Sequence, residues 1–217
     1  MKNRIRIFSI LLLLLVLLVS ASISYAADTE DTTSLMAKLG QIFKVDSETR
    51  SSENIYARGN SGGTITISDI EKATQFYITA GNDENTARQK AVEYMLQRDA
   101  LYQKAIDSGY TVTDTEVTEY LNNLKSTLDT ANNKEDVYAL INQFNSEEDY
   151  WDYQFQIYQI NLPIEKYVQA LKEEFYNSQL STYSEDTVSK DLFTDFNNYL
   201  NSLKTDLVEA ENYTIYN

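Results

Sequence analysis

The chain has 217 residues with 33 acidic and 18 basic side chains, a net charge of −15, and neither histidine nor cysteine. Without these two residue types, Ser-His-Asp and Cys-His catalysis, disulfides, and zinc sites built from His and Cys are excluded. The negative charge disfavours nucleic acid and anionic membrane surfaces, and it favours basic or neutral polypeptide partners.

Other chemical motifs are also missing from the sequence. It has no glycine-rich phosphate loop of either familiar kind and no D-x-D-x-D-G calcium loop. The acidic residues are scattered and offer no distinguishable pair for carboxylate catalysis. We therefore expect no catalytic residue, no cofactor and no metal site, and we interpret the protein as a non-enzyme.

The N-terminus has the pattern of a secretory signal peptide. Three basic residues precede an apolar run over residues 7–19, and a stretch of small residues ends at Ala26. The apolar run is shorter than the ~20 residues that usually span a membrane, so we predict cleavage after Ala26. The prediction is a signal peptide over 1–26 and an exported protein, located extracellularly, in the cell envelope or in a periplasm. Retention as an uncleaved anchor is the alternative, and only then do we expect membrane contact.

Residues 27–54 are predicted to be a polar lead containing one short amphipathic helix. Apolar residues recur at helical spacing within 34–45, and a charged linker is expected over 46–54. We expect the apolar stripe of this helix to dock on the core of the protein rather than on a client.

A hairpin and a second helix are predicted next. Extended stretches at 55–57 and 64–67 flank a turn-rich loop that contains three glycines. Ser68 and Glu71 have the spacing of a capping box, which predicts a helix that begins there and ends near Gly81.

Residues 82–121 are predicted to form a long helix, a stop at Gly109, and a further helix that begins with a capping box of Thr113 and Glu116. An apolar arc on the long helix predicts that this helix lies on a core. Asp99 falls within the arc, where an unpaired carboxylate is costly to bury. We expect it to have a partner from another helix or to lie at a rim reached by water. The arc consists of Ala91, Val92, Met95, Leu96, Tyr102, Ala105 and Ile106.

The longest predicted helix begins at Ser146 and is rich in aromatic residues. Its main stripe repeats every three or four residues from Tyr150 to Phe175, and Pro163 predicts a bend. A second face bears Trp151, Phe155 and Tyr158, and surfaces rich in Tyr and Trp bind varied apolar segments. The candidate peptide-binding residues are Tyr150, Trp151, Phe155 and Tyr158. The alternative interpretation is that both faces are buried in one helical core.

Several of these segments resemble one family. The sequence GYTVTDTEV at 109–117, after the long helix, is similar to the helix joint in the N-terminal chaperone module of the SurA/PrsA-type extracytoplasmic folding factors. The stretch EEDYWDYQFQIY at 147–158 resembles an x-E-E-x-Y-W-x-x-Y helix of the same family. The sequence GGTITIS at 62–68 and the tail at 210–216 resemble its short strands.

The resemblance implies a mainly α fold, with a small β-sheet formed by the N-terminal hairpin and the C-terminal strand. It implies one helical chaperone module over 55–217, in which the strand at 213–216 pairs with the strand near 64–67. A parvulin prolyl isomerase domain lies between the last two helices of these folding factors. Here only a short polar stretch near 177–186 occupies that place, and the histidines that parvulin sites use are absent.

The function implied by the resemblance is that of an ATP-independent chaperone without isomerase activity. Its expected partners are unfolded or nascent secreted polypeptides. Two alternatives remain open at this point, namely a degenerate relative of the prolyl isomerases and a structural envelope protein with one dedicated partner.

Overall fold

The computed structural model describes residues 32–49, 54–131, 133–179 and 188–216, so the predicted signal peptide lies outside the described residues. The fold is mainly helical with a small antiparallel sheet, as predicted. In chain order the elements are α1 (Thr32–Thr49), β1 (Ile55–Arg58), β2 (Thr64–Thr66), α2 (Ile67–Thr79), α3 (Glu84–Asp107), α4 (Asp114–Leu128), α5 (Lys134–Ile141), α6 (Glu147–Gln179), α7 (Val188–Glu211) and β3 (Thr214–Ile215).

Helix α1 is longer than predicted and docks on the core. It continues to Thr49, so the linker expected from residue 46 is wrong over its first four residues. No glycine or proline interrupts the chain there, and nothing therefore stops the helix. Leu35 and Leu39 are buried, and the helix packs against α5 and α2.

The sheet has the strand order β2-β1-β3, which corrects one predicted pairing. Strand β3 pairs with β1, through Ala57 opposite Ile215 and Arg58 opposite Thr214, and not with the strand near 64–67. Helix α7 ends beside the hairpin loop, where the Asn60 amide donates to the Glu211 carbonyl at 2.8 Å. The tail therefore reaches the β1 edge first, while β2 lies against α3.

Helix α2 begins two residues before the predicted start. Its capping box is formed by Thr66 and Asp69 rather than by Ser68 and Glu71, and the Asp69 amide donates to the Thr66 hydroxyl at 3.1 Å. Both pairs fit the [ST]-x-x-[DE] pattern, but β2 ends at Thr66, so that residue is the last extended one and becomes the cap.

The joint between α3 and α4 agrees with the prediction. Gly109 has φ +86°, and Thr113 and Glu116 form both hydrogen bonds of the capping box. Ala91, Met95 and Ala105 of the predicted arc are buried. The positions Ala87, Ala100 and Leu101 are also buried, although the predicted arc did not include them.

Helix α6 runs through Pro163 without interruption and contributes to both core clusters. Its start agrees with the prediction, since the Asp149 amide donates to the Ser146 hydroxyl at 3.0 Å. Tyr150 and Ile164 of its stripe are fully buried, in the main core and in a smaller second cluster respectively. Among the described residues, no helix is both long enough and apolar enough to cross a membrane.

Candidate binding pocket

The four predicted peptide-binding residues lie in and at the edge of the core. Tyr150, Trp151 and Tyr158 are 0%, 8% and 2% exposed, and Phe155 is half-buried. The Tyr150 and Trp151 rings meet edge to face at 5.0 Å, and the Trp151 indole donates to Glu147 at 2.9 Å. This placement corresponds to the alternative of two buried helix faces. The folded chain therefore does not present these side chains together in an open cleft, and their role in peptide binding stays a prediction.

An open pocket lies elsewhere, between the hairpin, α2, α3 and α6. Its volume is about 540 Å³, which is within the range of pockets that hold small ligands or short peptide segments. The residues that the following paragraphs use are Phe43, Gly63, Tyr94, Arg98, Asp99, Tyr153, Gln154, Ile157 and Asn161.

One side of the pocket is apolar. Phe43 of α1 stacks on Tyr153 of α6 with ring centroids 5.9 Å apart, and Ile157 follows one turn later. We call these three residues the apolar wall. Tyr94 of α3 also lines the pocket, and burial raises the pKa of its phenol to about 12. Its hydroxyl is therefore neutral at physiological pH and able to donate a hydrogen bond.

Arg98 is the main cationic group of the pocket. Its Nε and one terminal nitrogen donate to the side-chain oxygen Oδ1 of Asn161, at 3.2 and 3.0 Å, and these bonds join α3 to α6. No carboxylate of the described residues lies within ion-pair distance of the guanidinium. The side chain is thus oriented by a neutral partner, and its remaining N–H donors are left available to a ligand.

Gln154 is the most unusual polar residue of the pocket. Its side chain is 4% exposed, yet it forms no hydrogen bond with any residue that the structure describes. Its amide atoms are nevertheless not among the fully buried atoms without a partner, so they still reach solvent. Since Gln154 lines the pocket, a bound ligand is a natural partner for the amide.

Asp99 links the pocket to the C-terminal tail. Its carboxylate accepts from the Tyr213 hydroxyl at 2.8 Å and from Gln103 at 3.3 Å. The expected partner exists, but it comes from the tail instead of another helix. Burial raises the pKa of Asp99, while these two hydrogen bonds act in the opposite direction. A Cβ added to Gly63 would collide with this carboxylate, so glycine lets β2 approach α3 closely.

Of Arg98, Asp99, Gln154 and Asn161, sequence reasoning singled out only Asp99. A signal for Gln154 was present, because Gln154 lies four residues from both Tyr150 and Tyr158 and so shares a helix face with two predicted aromatic residues. No comparable signal exists for Arg98, since its role depends on the approach of α6 to α3.

Within the described ranges, no group of three or more acidic side chains is placed to hold a metal ion. No protein-family model, curated protein or solved structure matches this chain.

Proposed function

We propose that the protein is an exported, ATP-independent chaperone-like protein that binds extended segments of unfolded or partly folded polypeptides and has no isomerase activity. The observation that carries the proposal is the pocket. It combines the apolar wall with the hydrogen-bonding groups of Arg98 and Gln154 that have no protein partner among the described residues. A polypeptide segment offers both of the matching chemistries, apolar side chains and main-chain amides.

The position of β2 supports an extended ligand. This strand is an outer strand of the sheet, and its three residues, Thr64, Ile65 and Thr66, all line the pocket. An extended peptide can lie beside an outer strand while its side chains enter neighbouring pockets, and here it would occupy the part of β2 that lines the pocket and is not covered by α3. The proposed peptide therefore runs along β2 and places side chains against the apolar wall.

Export is part of the proposal and rests on the sequence pattern over residues 1–26. The net charge of −15 supports binding of basic or neutral clients. Clients of this kind would be secreted polypeptides that have not yet folded.

Light scattering of a chemically unfolded basic client, diluted into buffer with the purified protein, tests the proposal. We expect suppression of aggregation near equimolar amounts, and no suppression by an equally acidic inert protein. Ile157→Asn in the pocket should weaken suppression several-fold because it places a polar group on the apolar wall. Phe193→Asn is the matched control, since Phe193 is 54% exposed on α7 and does not line the pocket.

Two outcomes would contradict parts of the proposal. If the parent protein does not suppress aggregation, the chaperone function is wrong. If Ile157→Asn retains the helical circular dichroism of the parent and suppresses aggregation equally well, clients bind at another surface.

A further inference from the structure

The hydrogen-bonding groups of the pocket bear on which polypeptide segments can bind there. An inference about this selectivity rests on the proposed function. Arg98 has five N–H donors in a planar fork, of which two bonds go to Asn161. The remaining donors have no partner among the residues that the structure describes. A carboxylate is the group whose geometry and charge fit such a fork best.

The other charged side chains at the pocket already have partners. Asp99 accepts hydrogen bonds from Tyr213 and Gln103, and Lys72 lies 3.8 Å from Asp69. Arg98 is thus a cation whose charge is not matched by a carboxylate at ion-pair distance in the described part of the chain. The lining as a whole is balanced, with Asp69 and Asp99 against Lys72 and Arg98, so it is the unpaired N–H donors of Arg98 that favour one negative group on the ligand at this point.

Gln154 adds a second requirement. A carboxamide both donates and accepts, as a peptide group does, so it can pair with a main-chain amide in two directions. Gln154 is 4% exposed as a residue, its amide atoms still reach solvent, and they have no protein partner in the described ranges. A hydrogen bond with a ligand amide would give the Gln154 side chain a partner. The same bond would hold the ligand backbone between Arg98 and the apolar wall.

We infer that the pocket selects extended segments in which a single Asp or Glu side chain adjoins an aromatic or aliphatic one. Arg98 binds the carboxylate, Gln154 binds the adjacent main chain, and the apolar wall takes the neighbouring side chain. The overall charge of −15 repels segments with many acids, so the selected segments carry an isolated acidic residue in a neutral or basic context.

Four fluorescent peptides of equal length test the inference by fluorescence anisotropy. Three have blocked ends and carry Glu, Gln or Lys beside a central Phe, and the fourth carries Gln and has a free C-terminal carboxylate. We expect the Glu peptide to bind roughly tenfold more tightly than the blocked Gln peptide, as for a charge-assisted pair. The Lys peptide should bind most weakly, and the free C-terminal carboxylate should add less than about twofold.

Arg98→Gln should bring the affinities for the Glu and Gln peptides within about twofold of each other, while the affinity for the Gln peptide changes little. Arg88→Gln removes the same charge from an exposed position of the same helix that does not line this pocket, so the Glu preference should survive. If Arg98→Gln loses its helical circular dichroism, Arg98→Lys replaces it. It keeps the charge and loses the planar fork, so a reduced but measurable preference is expected.

Equal binding of the Glu and Gln peptides to the parent protein would overturn this inference and leave the proposed function standing. A preference that follows the free C-terminal carboxylate would overturn the assignment to an acidic side chain. Failure of all four peptides to bind would overturn both proposals. A Glu preference that survives Arg98→Gln would remove Arg98 from the site.

Discussion

Asp99 shows how a single carboxyl can respond to its surroundings in the folded chain. It lines the pocket, accepts the Tyr213 hydroxyl, and is partly removed from water. Burial is the largest influence and raises its pKa above the ordinary value. A raised folded-state pKa means that the fold binds the proton more tightly than the unfolded chain. The stabilising contribution of this group is therefore complete at acid pH and is lost as the pH rises through its folded-state pKa.

Asp99→Asn is expected to remove this pH dependence. The asparagine oxygen can still accept the Tyr213 hydroxyl, but the side chain no longer has to ionise in a partly buried position. The variant should therefore gain stability relative to the parent as the pH rises to neutrality. Urea unfolding followed by the fluorescence of the single tryptophan, at pH values from 3 to 7, measures the difference.

Asp206→Asn is the control for this prediction, because Asp206 is exposed in the middle of α7. The stability difference between Asp206→Asn and the parent should change little with pH. A stability difference between Asp99→Asn and the parent that stays constant over the whole pH range would contradict the assignment.

The pKa of Glu116 is shifted in the opposite direction. Its carboxylate lies 2.6 Å from the Lys166 ammonium and accepts the Thr113 amide at 2.8 Å. The hydrogen bond with Lys166, followed by the bonds from Thr113, lowers the pKa of Glu116 from 4.5 to about 2. A carboxyl group whose pKa is lowered in the folded state contributes stability at pH values above its ordinary pKa. This contribution is lost as the pH falls toward 2.

Glu116→Gln separates the charge from the cap. Glutamine can still complete a capping box, so the variant loses mainly the charged interaction with Lys166. We expect a small loss of stability near neutral pH, because the pair is exposed to solvent, and the loss should disappear by about pH 2. Thermal unfolding at pH 2, 4 and 7 checks this. Glu119→Gln, exposed on the same helix, is the control. A loss that persists undiminished at pH 2 would show that the variant damages the cap.

At the scale of elements, the contact between α1 and α5 depends on Gly40. A Cβ at this position would collide with the Leu140 carbonyl oxygen, and the Gln143 side chain lies beside it. The two helices therefore approach closely enough that backbone of one meets backbone of the other. α1 also supplies Phe43 to the apolar wall, so this packing positions part of the pocket.

Gly40→Ala is expected to destabilise the fold by about 1–3 kcal/mol, as overpacking usually does, although alanine is the better helix former. Asn122→Ala is the control, because Asn122 is exposed on α4 and forms no side-chain hydrogen bond with the described residues. Urea unfolding measures both variants. If Gly40→Ala is as stable as the parent, α1 can move away from α5 at little cost, and its close contact is not required.

Helix α6 also contributes to the pocket through its periodicity. Gln154, Ile157 and Asn161 are spaced three and four residues apart, so they share one face of the helix. That face gives the pocket an amide, an apolar side chain and the partner of Arg98. One regular element thus places three different chemistries at fixed spacing.

At the scale of the whole molecule, the C-terminal tail closes the fold on its N-terminal hairpin. The Glu211 carboxylate accepts the Ser61 hydroxyl at 2.6 Å, β3 pairs with β1, and the Tyr213 hydroxyl bonds Asp99. Asn212 has φ +45°, a left-handed conformation that asparagine tolerates better than most residues. The tail can therefore turn from α7 directly into the sheet.

Deletion of residues 212–217 is expected to loosen the hairpin without unfolding the helical core. The deletion removes the β3 pairing and the Tyr213 hydroxyl, so Asp99 loses one hydrogen bond and keeps the one from Gln103. Hydrogen exchange should become faster in β1 and β2, while α4 and α5 keep their protection. Tyr216→Ala, which changes an exposed side chain but keeps the backbone bond to Tyr56, is the control. Unchanged exchange in β1 would show that the hairpin is stable without the tail.

Features that depend on near neighbours in the chain could be predicted from the sequence. The capping box of Thr113 and Glu116 and the stop at Gly109 were predictable because their hydrogen bonds and dihedral angles involve residues within a few positions. The individual helices followed from apolar periodicity. Where two local patterns competed, as at the start of α2, the end of the preceding strand selected Thr66.

Which surfaces meet depends on long-range packing and became clear only from the folded chain. Periodicity shows that a helix face is apolar but not what covers it, so the burial of Tyr150, Trp151 and Tyr158 could not be distinguished from an open cleft. The pairing of β3 with β1 depends on where α7 ends in space. The pocket joins Gly63, Arg98 and Gln154 from distant parts of the chain, because long-range packing, which no local pattern encodes, brings β2, α3 and α6 together.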